Sequence, residues 1–347
     1  MSFQITIQPS QHQFAADAEK SVLDAALAAG IVLPYSCRSG ACSTCKAKVL
    51  SGSVEAGSSP AQILSADEIE AGFTLLCQAR ATSDLVIESR ELRLASDIQI
   101  RKIPSRVTAI ARPTPDVALL TLQLPATETF RFHAGQYIEV ILKDGKRRSY
   151  SMANAPHSAS SLELHLRHLN GGLFTDHVFG VGATAMKERE ILRLEGPFGS
   201  FFLREDSQLP IVMLASGTGF APIKSIVEHM VHENIARPIT LYWGGRRPSD
   251  LYMNDLVEQW AQTIPDFTYV PVVSDALPED GWVGRTGFVH RAVMQDFPDL
   301  SGHQVYACGA PIVVDSARRD FVASCNLAEE AFFADSFTSE ADLAAVK

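Results

Sequence analysis

Six cysteines are the residues of this sequence best suited to do chemistry, and four of them fall within its first 77 positions. Three occupy one short loop, LPYSCRSGACSTCKAKV, and the fourth stands in LLCQAR. The spacing is Cys37-x4-Cys42-x2-Cys45, followed after a gap of 31 residues by Cys77. This is the spacing of plant-type [2Fe–2S] ligation, in which four thiolates converge on a small anionic core.

A structural zinc site is the alternative for these four thiols. Zinc is usually held by two closely spaced cysteine pairs or by a mixture of cysteine and histidine. Here a triplet precedes one distant cysteine, and the nearest histidine, His12, has no partner at ligand spacing. The pattern favours the two-iron cluster, with a loop that curls round it at Gly40. By its position alone Cys325 is interpreted as a core residue.

The elements around the cysteines must hold them in place, and several are recognisable. Phe3–Ile7 and Gln13–Ala15 are predicted to form a hairpin, and Lys46–Leu50 and Leu85–Glu88 are predicted strands. Ser21 can cap a helix that ends at Gly30, and Ser65–Glu68 is a capping box for a second, short helix. With these surroundings, the run from Leu33 to Gly52 and the segment Leu76-Cys77-Gln78 resemble a plant-type ferredoxin domain. We place this domain at residues 1–95, with a linker near Leu94–Pro104.

Short strands with turn signals follow and predict an all-β barrel: Arg106–Ile110, Ala118–Leu124, Tyr137–Leu142, Leu162–Arg167 and Ile191–Leu194. The motifs on it are Arg148-Ser149-Tyr150-Ser151, Gly171-Gly172-Leu173-Phe174-Thr175 and Gly196-Pro197-Phe198-Gly199. Arginine can grip a phosphate, tyrosine can stack on a flat ring, and glycines before a helix offer N–H groups to a pyrophosphate.

Together and in this order, the three motifs resemble the flavin domain of the ferredoxin-NADP reductase superfamily, as does His133-Ala134-Gly135-Gln136-Tyr137. The resemblance implies that Arg148 binds the phosphates of FAD, that Tyr150 packs on its ring system, and that Ser151 hydrogen-bonds near the reactive nitrogen. It also implies that the loop with Gly171, Gly172 and Thr175 holds the pyrophosphate of FAD, and that His165 and Arg167 line the flavin site. We place this domain at residues 101–205.

The last third alternates strands and helices, which predicts a doubly wound α/β domain at residues 208–340. The buried strand Ile211–Ala215 runs into Gly217-Thr218-Gly219-Phe220-Ala221-Pro222, and a later strand ends in Cys308-Gly309-Ala310-Pro311. Both motifs resemble those of the same superfamily. The resemblance implies that Gly217, Thr218, Gly219 and Pro222 hold the phosphates of the nicotinamide dinucleotide, with Cys308 and Gly309 near its reactive ring.

The choice between NADH and NADPH stays open at this point. An acid about 20 residues past the glycines favours the ribose of NAD. That region instead contains Arg246 and Arg247, and the first acid is Asp250. The arginines favour a 2′-phosphate, whereas relatives with a similar run include NADH users. The closing segment Phe333–Phe337 resembles the family's flavin-contacting end, which implies a role for Phe337.

Length and charge agree with this three-part organisation. The chain has 347 residues, 46% of them hydrophobic, enough for two or three packed domains. Its 30 basic and 40 acidic residues give a net charge of −10, so nucleic acid is not an expected partner. No apolar run approaches the length of a membrane span, and the N-terminus lacks the pattern of a signal peptide. We therefore expect a cytoplasmic protein with no membrane partner.

The order of the domains resembles the one-chain reductase component of bacterial multicomponent oxygenases. The resemblance implies three cofactors: a [2Fe–2S] cluster, FAD, and NADH or NADPH. It also implies a partner, a terminal oxygenase, which would be an aromatic-ring dioxygenase, a demethylase or a di-iron monooxygenase. Because nicotinamides give hydride and many metal centres accept one electron at a time, the flavin would convert between the two and the cluster would relay single electrons. The alternatives are the reductase of a deoxysugar pathway and a non-catalytic electron-carrier module.

Overall fold

The structure, a computed structural model, describes residues 2–57, 63–89, 92–94, 98–158, 160–181 and 184–337. Contacts divide the chain into two compact units. One unit runs to Asp97 and also includes the described residues from Ala334 onward, and the other is Ile98–Phe333. Part of the expected linker, residues 95–97, lies outside the described residues.

The N-terminal unit is built on a mixed five-stranded sheet with the order β2-β1-β8-β4-β6. Strands β1 and β8 are parallel, and the other pairs are antiparallel. The strands are β1 (Ser2–Gln8), β2 (Gln13–Asp17), β3 (Ile31–Val32), β4 (Lys46–Ser51), β5 (Val54–Glu55), β6 (Phe73–Leu75), β7 (Arg80–Ala81), β8 (Leu85–Glu88) and β9 (Arg93–Leu94). The helices are α1 (Val22–Ala28) and α2 (Ala66–Glu70).

Both helix starts in this unit follow the signals in the sequence. The Ser21 side chain accepts a hydrogen bond from the N–H of Asp24 at 3.0 Å, which caps α1. Ser65 and Glu68 form the predicted capping box of α2. Helix α1 buries Val22 and Leu23, whose backbone N–H groups bond to the carbonyls of Ala79 and Leu76. These bonds hold the segment that carries Cys77 against the helix.

The second unit begins with a six-stranded sheet in which every pair is antiparallel. Its strands are β10 (Arg101–Thr114), β11 (Val117–Gln123), β12 (Tyr137–Ile141), β13 (Arg147–Ser151), β14 (Ser161–Arg167) and β15 (Ile191–Phe198), in the order β13-β12-β15-β10-β11-β14. A bridge between Met152 and Leu164 joins the ends of this order. All five expected strands are confirmed, and β13 is a sixth strand that was not among those predicted.

A second sheet has the order β19-β18-β17-β16-β20-β21. Its first five strands are parallel and belong to this unit, whereas β21 belongs to it only as far as Phe333. The strands are β16 (Ile211–Ser216), β17 (Ile239–Gly245), β18 (Phe267–Val273), β19 (Arg285–Thr286), β20 (Gln304–Gly309) and β21 (Phe332–Ser336). The helices of the unit are α3 (Leu173–Phe179), α4 (Phe220–His232), α5 (Asn254–Thr263), α6 (Val289–Asp296) and α7 (Pro311–Ser324). Strands β16 and β20 are almost wholly buried, as a central parallel pair should be.

Candidate cofactor sites

The four N-terminal cysteines come together as two pairs. Cys37 shares a side-chain hydrogen bond with Cys42, and Cys45 shares one with Cys77. The pairs also interact with each other, since Cys37 acts electrostatically on Cys77 and Cys42 acts on Cys45. Four thiols in two pairs that interact with each other are compatible with [2Fe–2S] ligation.

The pKa values of these thiols move in opposite directions within each pair. The hydrogen bond from Cys42 lowers the pKa of Cys37 to about 5, despite burial. That same bond, with burial, raises the pKa of Cys42. The bond between Cys45 and Cys77 raises the pKa of Cys45 and lowers that of Cys77. One thiolate in each pair is thus favoured, which is the form that binds metal.

The loop that carries three of the cysteines has the backbone shape that a cluster needs. Gly40 has a φ of +79°, in the left-handed region that glycine adopts without strain. The N–H of Ser39 donates to the sulfur of Cys37 at 3.4 Å, and the amide of Gln78 donates to that of Cys77 at 3.7 Å. Donors aimed at cysteine sulfurs are the contacts that tune iron–sulfur clusters.

Three of the expected flavin residues, Arg148, Tyr150 and Ser151, lie on one strand, β13. The Tyr150 ring packs 5.5 Å from that of Phe174, between ring centres, and burial raises the pKa of its hydroxyl. Ser151 is 4% exposed. Arg148 is half-buried and donates to the carbonyl of Arg147 at 2.8 Å. The strand therefore presents a basic, an aromatic and a hydroxyl side chain in sequence, the set that an aromatic phosphate ligand needs.

The Gly171–Thr175 loop leads into α3, and the hydroxyl of its threonine bonds within the loop. The Thr175 hydroxyl donates to the carbonyl of Leu169 at 2.9 Å and accepts from the N–H of Leu169 at 3.3 Å. It is also 3.2 Å from the carbonyl of Gly172. Thr175 thus closes the loop on itself, and the N–H groups at the start of α3 remain the donors suited to a phosphate.

The two glycine motifs of the second sheet meet at the carboxyl ends of β16 and β20. Ala215 and Cys308 are register partners on these strands. A Cβ added to Gly219 would overlap the carbonyl oxygen of Cys308 and lie 2.8 Å from the Cα of Gly309. Thr218 completes a 3₁₀ turn over Gly217–Gly219, and Pro222 lies in the first turn of α4. Ligands of parallel sheets bind at this edge.

Arg167, which the sequence assigns to the flavin, lies beside the first glycine of this turn. A Cβ added to Gly217 would lie 3.6 Å from its Nη2. Its Nη1 bonds to Asp116 at 2.8 Å and to Asp250 at 2.9 Å, whereas the buried Nη2 has no hydrogen-bond partner among the residues that the structure describes. An unsatisfied buried guanidinium nitrogen beside a glycine turn fits an anionic ligand such as a dinucleotide phosphate.

The residues expected at the adenosine ribose differ in what they contact. Arg247 bonds to Asp280 at 3.0 Å. Asp250 accepts from the N–H groups of Arg246 and Arg247, as well as from Arg167. These donors lower the pKa of Asp250 against the opposing effect of burial. Arg246 is exposed and has no ion pair among the described residues.

The comparisons with known proteins cover the same three regions. The 2Fe-2S iron–sulfur cluster binding domain matches residues 5–82, the oxidoreductase FAD-binding domain 104–203, and the oxidoreductase NAD-binding domain 213–319. CDP-6-deoxy-L-threo-D-glycero-4-hexulose-3-dehydrase reductase of Yersinia pseudotuberculosis is 41% identical over 97% of this chain and 99% of its own length. Terephthalate 1,2-dioxygenase reductase component 1 of Comamonas sp is 37% identical over 98% of each chain.

The chain belongs to the family of iron–sulfur flavoprotein reductases. The crystal structure of the Amycolatopsis cytochrome P450 reductase GcoB agrees, with 31% identity and a TM-score of 0.75 over 97% of this chain and 99% of that one. Like other members, this reductase is an oxidoreductase with sites for a [2Fe–2S] cluster, FAD and a nicotinamide dinucleotide. No helix in the described ranges has both the length and the apolar character to cross a bilayer.

This reductase also contains a buried polar network that the sequence analysis missed. The ring of His165 bonds to the hydroxyl of Tyr252 and to the carboxylate of Glu163, each at 2.7 Å. Lys224 lies 3.2 Å from Glu163 and 2.7 Å from Glu228. Burial lowers the pKa of His165. Burial opposes ionisation of Glu163, but His165 and Lys224 lower its pKa to about 2.

A signal for this network was present in the sequence. Residues two apart on a strand share one face, so Glu163, His165 and Arg167 project together from β14, opposite the buried leucines between them. Three polar side chains on one face of a largely buried strand need hydrogen-bond partners. Asp275, exposed just after β18, was also missed, whereas Asp335 belongs to the closing segment singled out in the sequence and is buried in β21. Phe337, the last residue described, is half-buried.

Proposed function

We propose that this reductase takes electrons from NADH or NADPH and delivers them, through FAD and a [2Fe–2S] cluster, to a terminal oxygenase. The observation that carries the proposal is the pair-wise approach of four cysteine thiols in a chain that also has an FAD-binding and an NAD-binding domain. Relatives named as reductase components of terephthalate 1,2-dioxygenase, phenol 2-monooxygenase and propane 2-monooxygenase support it.

We propose the following ligands and boundaries. The metal ligands are Cys37, Cys42, Cys45 and Cys77; the flavin residues are Arg148, Tyr150, Ser151, Gly171, Gly172 and Phe337; the dinucleotide residues are Arg167, Gly217, Thr218, Gly219, Pro222, Arg246, Cys308 and Gly309. The domains are a β-grasp ferredoxin domain over 1–95, a flavin β-barrel over 101–205 and a doubly wound dinucleotide domain over 208–340. The bridge between Met152 and Leu164 supports closure of the barrel.

Four assignments shift from the sequence-based hypothesis. One is Arg247, which pairs with Asp280 and is no longer proposed as a dinucleotide residue. Arg167 is proposed for the dinucleotide because its free Nη2 faces Gly217, and His165 becomes a buried partner of Tyr252. Thr175 becomes a loop-closing residue, since its hydroxyl bonds to Leu169.

When bound, FAD supplies the conversion of a hydride into single electrons, and the cluster supplies one-electron transfer. The protein's own residues bind and orient. The glycine turn at Gly217–Gly219 lets the backbone approach a phosphate, and Arg167 neutralises charge there. Ser151 offers a hydroxyl for a hydrogen bond to the flavin ring, and the wholly buried Cys308 closes the site to water at the end of β20.

A second candidate is the reductase of a deoxysugar dehydrase. The observation that favours it is the 41% identity to the Yersinia dehydrase reductase, against 37% to the dioxygenase reductase. Both candidates use the same cofactors and differ only in the acceptor protein. The non-catalytic alternative lacks such support, because the chain carries both oxidoreductase domains.

The function is tested by exchanging electron acceptors. The purified holoprotein, assayed with NADH and with NADPH, is expected to reduce ferricyanide, cytochrome c and a purified terminal oxygenase component with at least one of the two. A parallel assay supplies the dehydrase of the deoxysugar reaction. Product formation with an oxygenase alone supports the first candidate, and product formation with the dehydrase alone supports the second. Failure to reduce ferricyanide would contradict both.

The same assay tests whether electrons leave the flavin through the N-terminal unit. A fragment from residue 98 to 347, which begins at the unit boundary, should reduce ferricyanide but not cytochrome c, because ferricyanide accepts directly from flavin. Residues 1–97 supplied as a separate fragment should restore only weak electron transfer to cytochrome c. In the intact chain the covalent link gives the two units an effective concentration of roughly millimolar, which separate fragments lack. Full cytochrome c activity of the fragment alone would contradict a relay through the cysteines.

We propose that Arg246 and Asp275 set the dinucleotide preference. The N–H of Asp275 bonds to the carbonyl of Arg246, so the two residues adjoin at the ends of β17 and β18. Arg246→Ala is expected to raise the KM for NADPH about tenfold and hardly change that for NADH, since a charge-assisted hydrogen bond is worth about 1.5–3 kcal/mol. Asp275→Asn is expected to lower the KM for NADPH. Arg247→Ala, which breaks the Asp280 pair, is the control and should affect both dinucleotides equally.

A further inference from the structure

A buried hydrogen bond joins the cysteine loop to a residue near the end of the described chain. The Ser36 hydroxyl donates to Oδ1 of Asp335 at 2.6 Å, and the N–H of Ser336 donates to the Ser36 oxygen at 3.2 Å. Ser36 and Asp335 are each 4% exposed. The residues from Ala334 onward group with the N-terminal unit, so both bonds lie inside that unit.

Ser36 immediately precedes Cys37, and the bonds to it span 299 and 300 positions of the sequence. A second side-chain contact at this end of the loop is the ion pair between Arg38 and Asp24, 2.9 Å apart. Its side chains are 31% and 46% exposed, and exposed pairs contribute little because water competes for them. Of these two contacts the buried bond is therefore the stronger constraint, because solvent does not compete for it.

We propose that Asp335 is a positioning residue for the iron–sulfur loop and acts through Ser36. By fixing Ser36, it sets where the loop begins, and so keeps the N–H of Ser39 directed at the sulfur of Cys37, 3.4 Å away. Hydrogen bonds to cysteine sulfurs tune such clusters. An iron–sulfur domain taken as residues 1–95 alone thus lacks one of its supports. The inference rests on the proposed assignment of the four cysteines as ligands.

The test compares Ser36→Ala, Asp335→Ala and Asp335→Asn in the full-length holoprotein. The first two should lose cluster absorbance about three- to tenfold faster than wild type, the factor that an ordinary net hydrogen bond confers. They should also change the electron paramagnetic resonance spectrum of the reduced cluster. Asp335→Asn keeps an acceptor oxygen and should lose the cluster at the wild-type rate. Asp84→Asn, a matched change at an exposed carboxylate that bonds to the N–H of Gln4, is the control.

The double variant Ser36→Ala/Asp335→Ala decides whether the two residues act through one contact. Its rate of cluster loss should match that of either single variant, because partners in one interaction are not additive. Additive effects, or a wild-type spectrum in Ser36→Ala, would overturn the proposal. If Asp335→Ala does not accumulate, the rates of cluster loss in Ser36→Ala and Asp335→Asn are compared instead, and equal rates would contradict the proposal. Iron and sulfide missing from the wild-type protein would instead contradict the cysteine assignment itself.

Discussion

Replacing Cys42 by serine is expected to remove the iron–sulfur absorbance while the flavin stays bound. Cys42 is wholly buried and paired with Cys37, so its loss leaves one metal position with a single thiol. Replacing a residue that only hydrogen-bonds to a metal ligand lowers metal affinity by about 10- to 100-fold, so replacing a ligand itself should lower it by more than about 100-fold. Electron delivery to cytochrome c should disappear, while ferricyanide reduction persists. Iron analysis, absorbance and the two assays measure this.

Cys325→Ser is the matched control for Cys42→Ser. Cys325 is also a buried free cysteine, 2% exposed, but it lies at the end of α7 in the second unit. Its replacement should leave the iron content and both activities close to wild type. A Cys42→Ser protein with full iron and sulfide content would contradict the ligand assignment. Equal losses in both variants would indicate general destabilisation instead.

Replacing Gly219 by alanine is expected to abolish reduction of the flavin by NAD(P)H. The new methyl group would overlap the carbonyl oxygen of Cys308 and lie 2.8 Å from the Cα of Gly309. These are backbone atoms that cannot rotate away, so the ends of β16 and β20 must move apart. A displacement of about 1 Å at a site can cost about 100-fold in rate. Stopped-flow absorbance with NADH measures the effect, and dithionite should still reduce the flavin.

Gly302→Ala provides the control for that substitution. A Cβ at Gly302 meets no atom within 4 Å, and the residue does not have the positive φ that glycine alone adopts readily. This variant should reduce its flavin at the wild-type rate. Wild-type hydride transfer in Gly219→Ala would show that the turn tolerates movement, and would contradict the proposed approach of the dinucleotide to this backbone.

The sequence alone determined the chemistry of the cluster and the class of the protein. Three of the four proposed ligands lie within nine residues of one another, so local spacing already limits how one loop can surround a cluster. The glycine turn after a buried strand is equally local, and the turn lies where it was expected. The capping residues Ser21 and Ser65 were predictable for the same reason, since a cap depends on neighbours three positions away.

The tertiary structure decided which distant residues share a site. Arg167 ends a strand of the antiparallel sheet, yet it lies beside Gly217, 50 positions later, because the two sheets place those strand ends together. Asp335 supports a loop 299 positions earlier through one buried hydrogen bond. Periodicity and spacing report on neighbours within a few residues. Contacts between remote segments depend on the packing of whole sheets, which minimises unsatisfied buried polar groups over the entire chain.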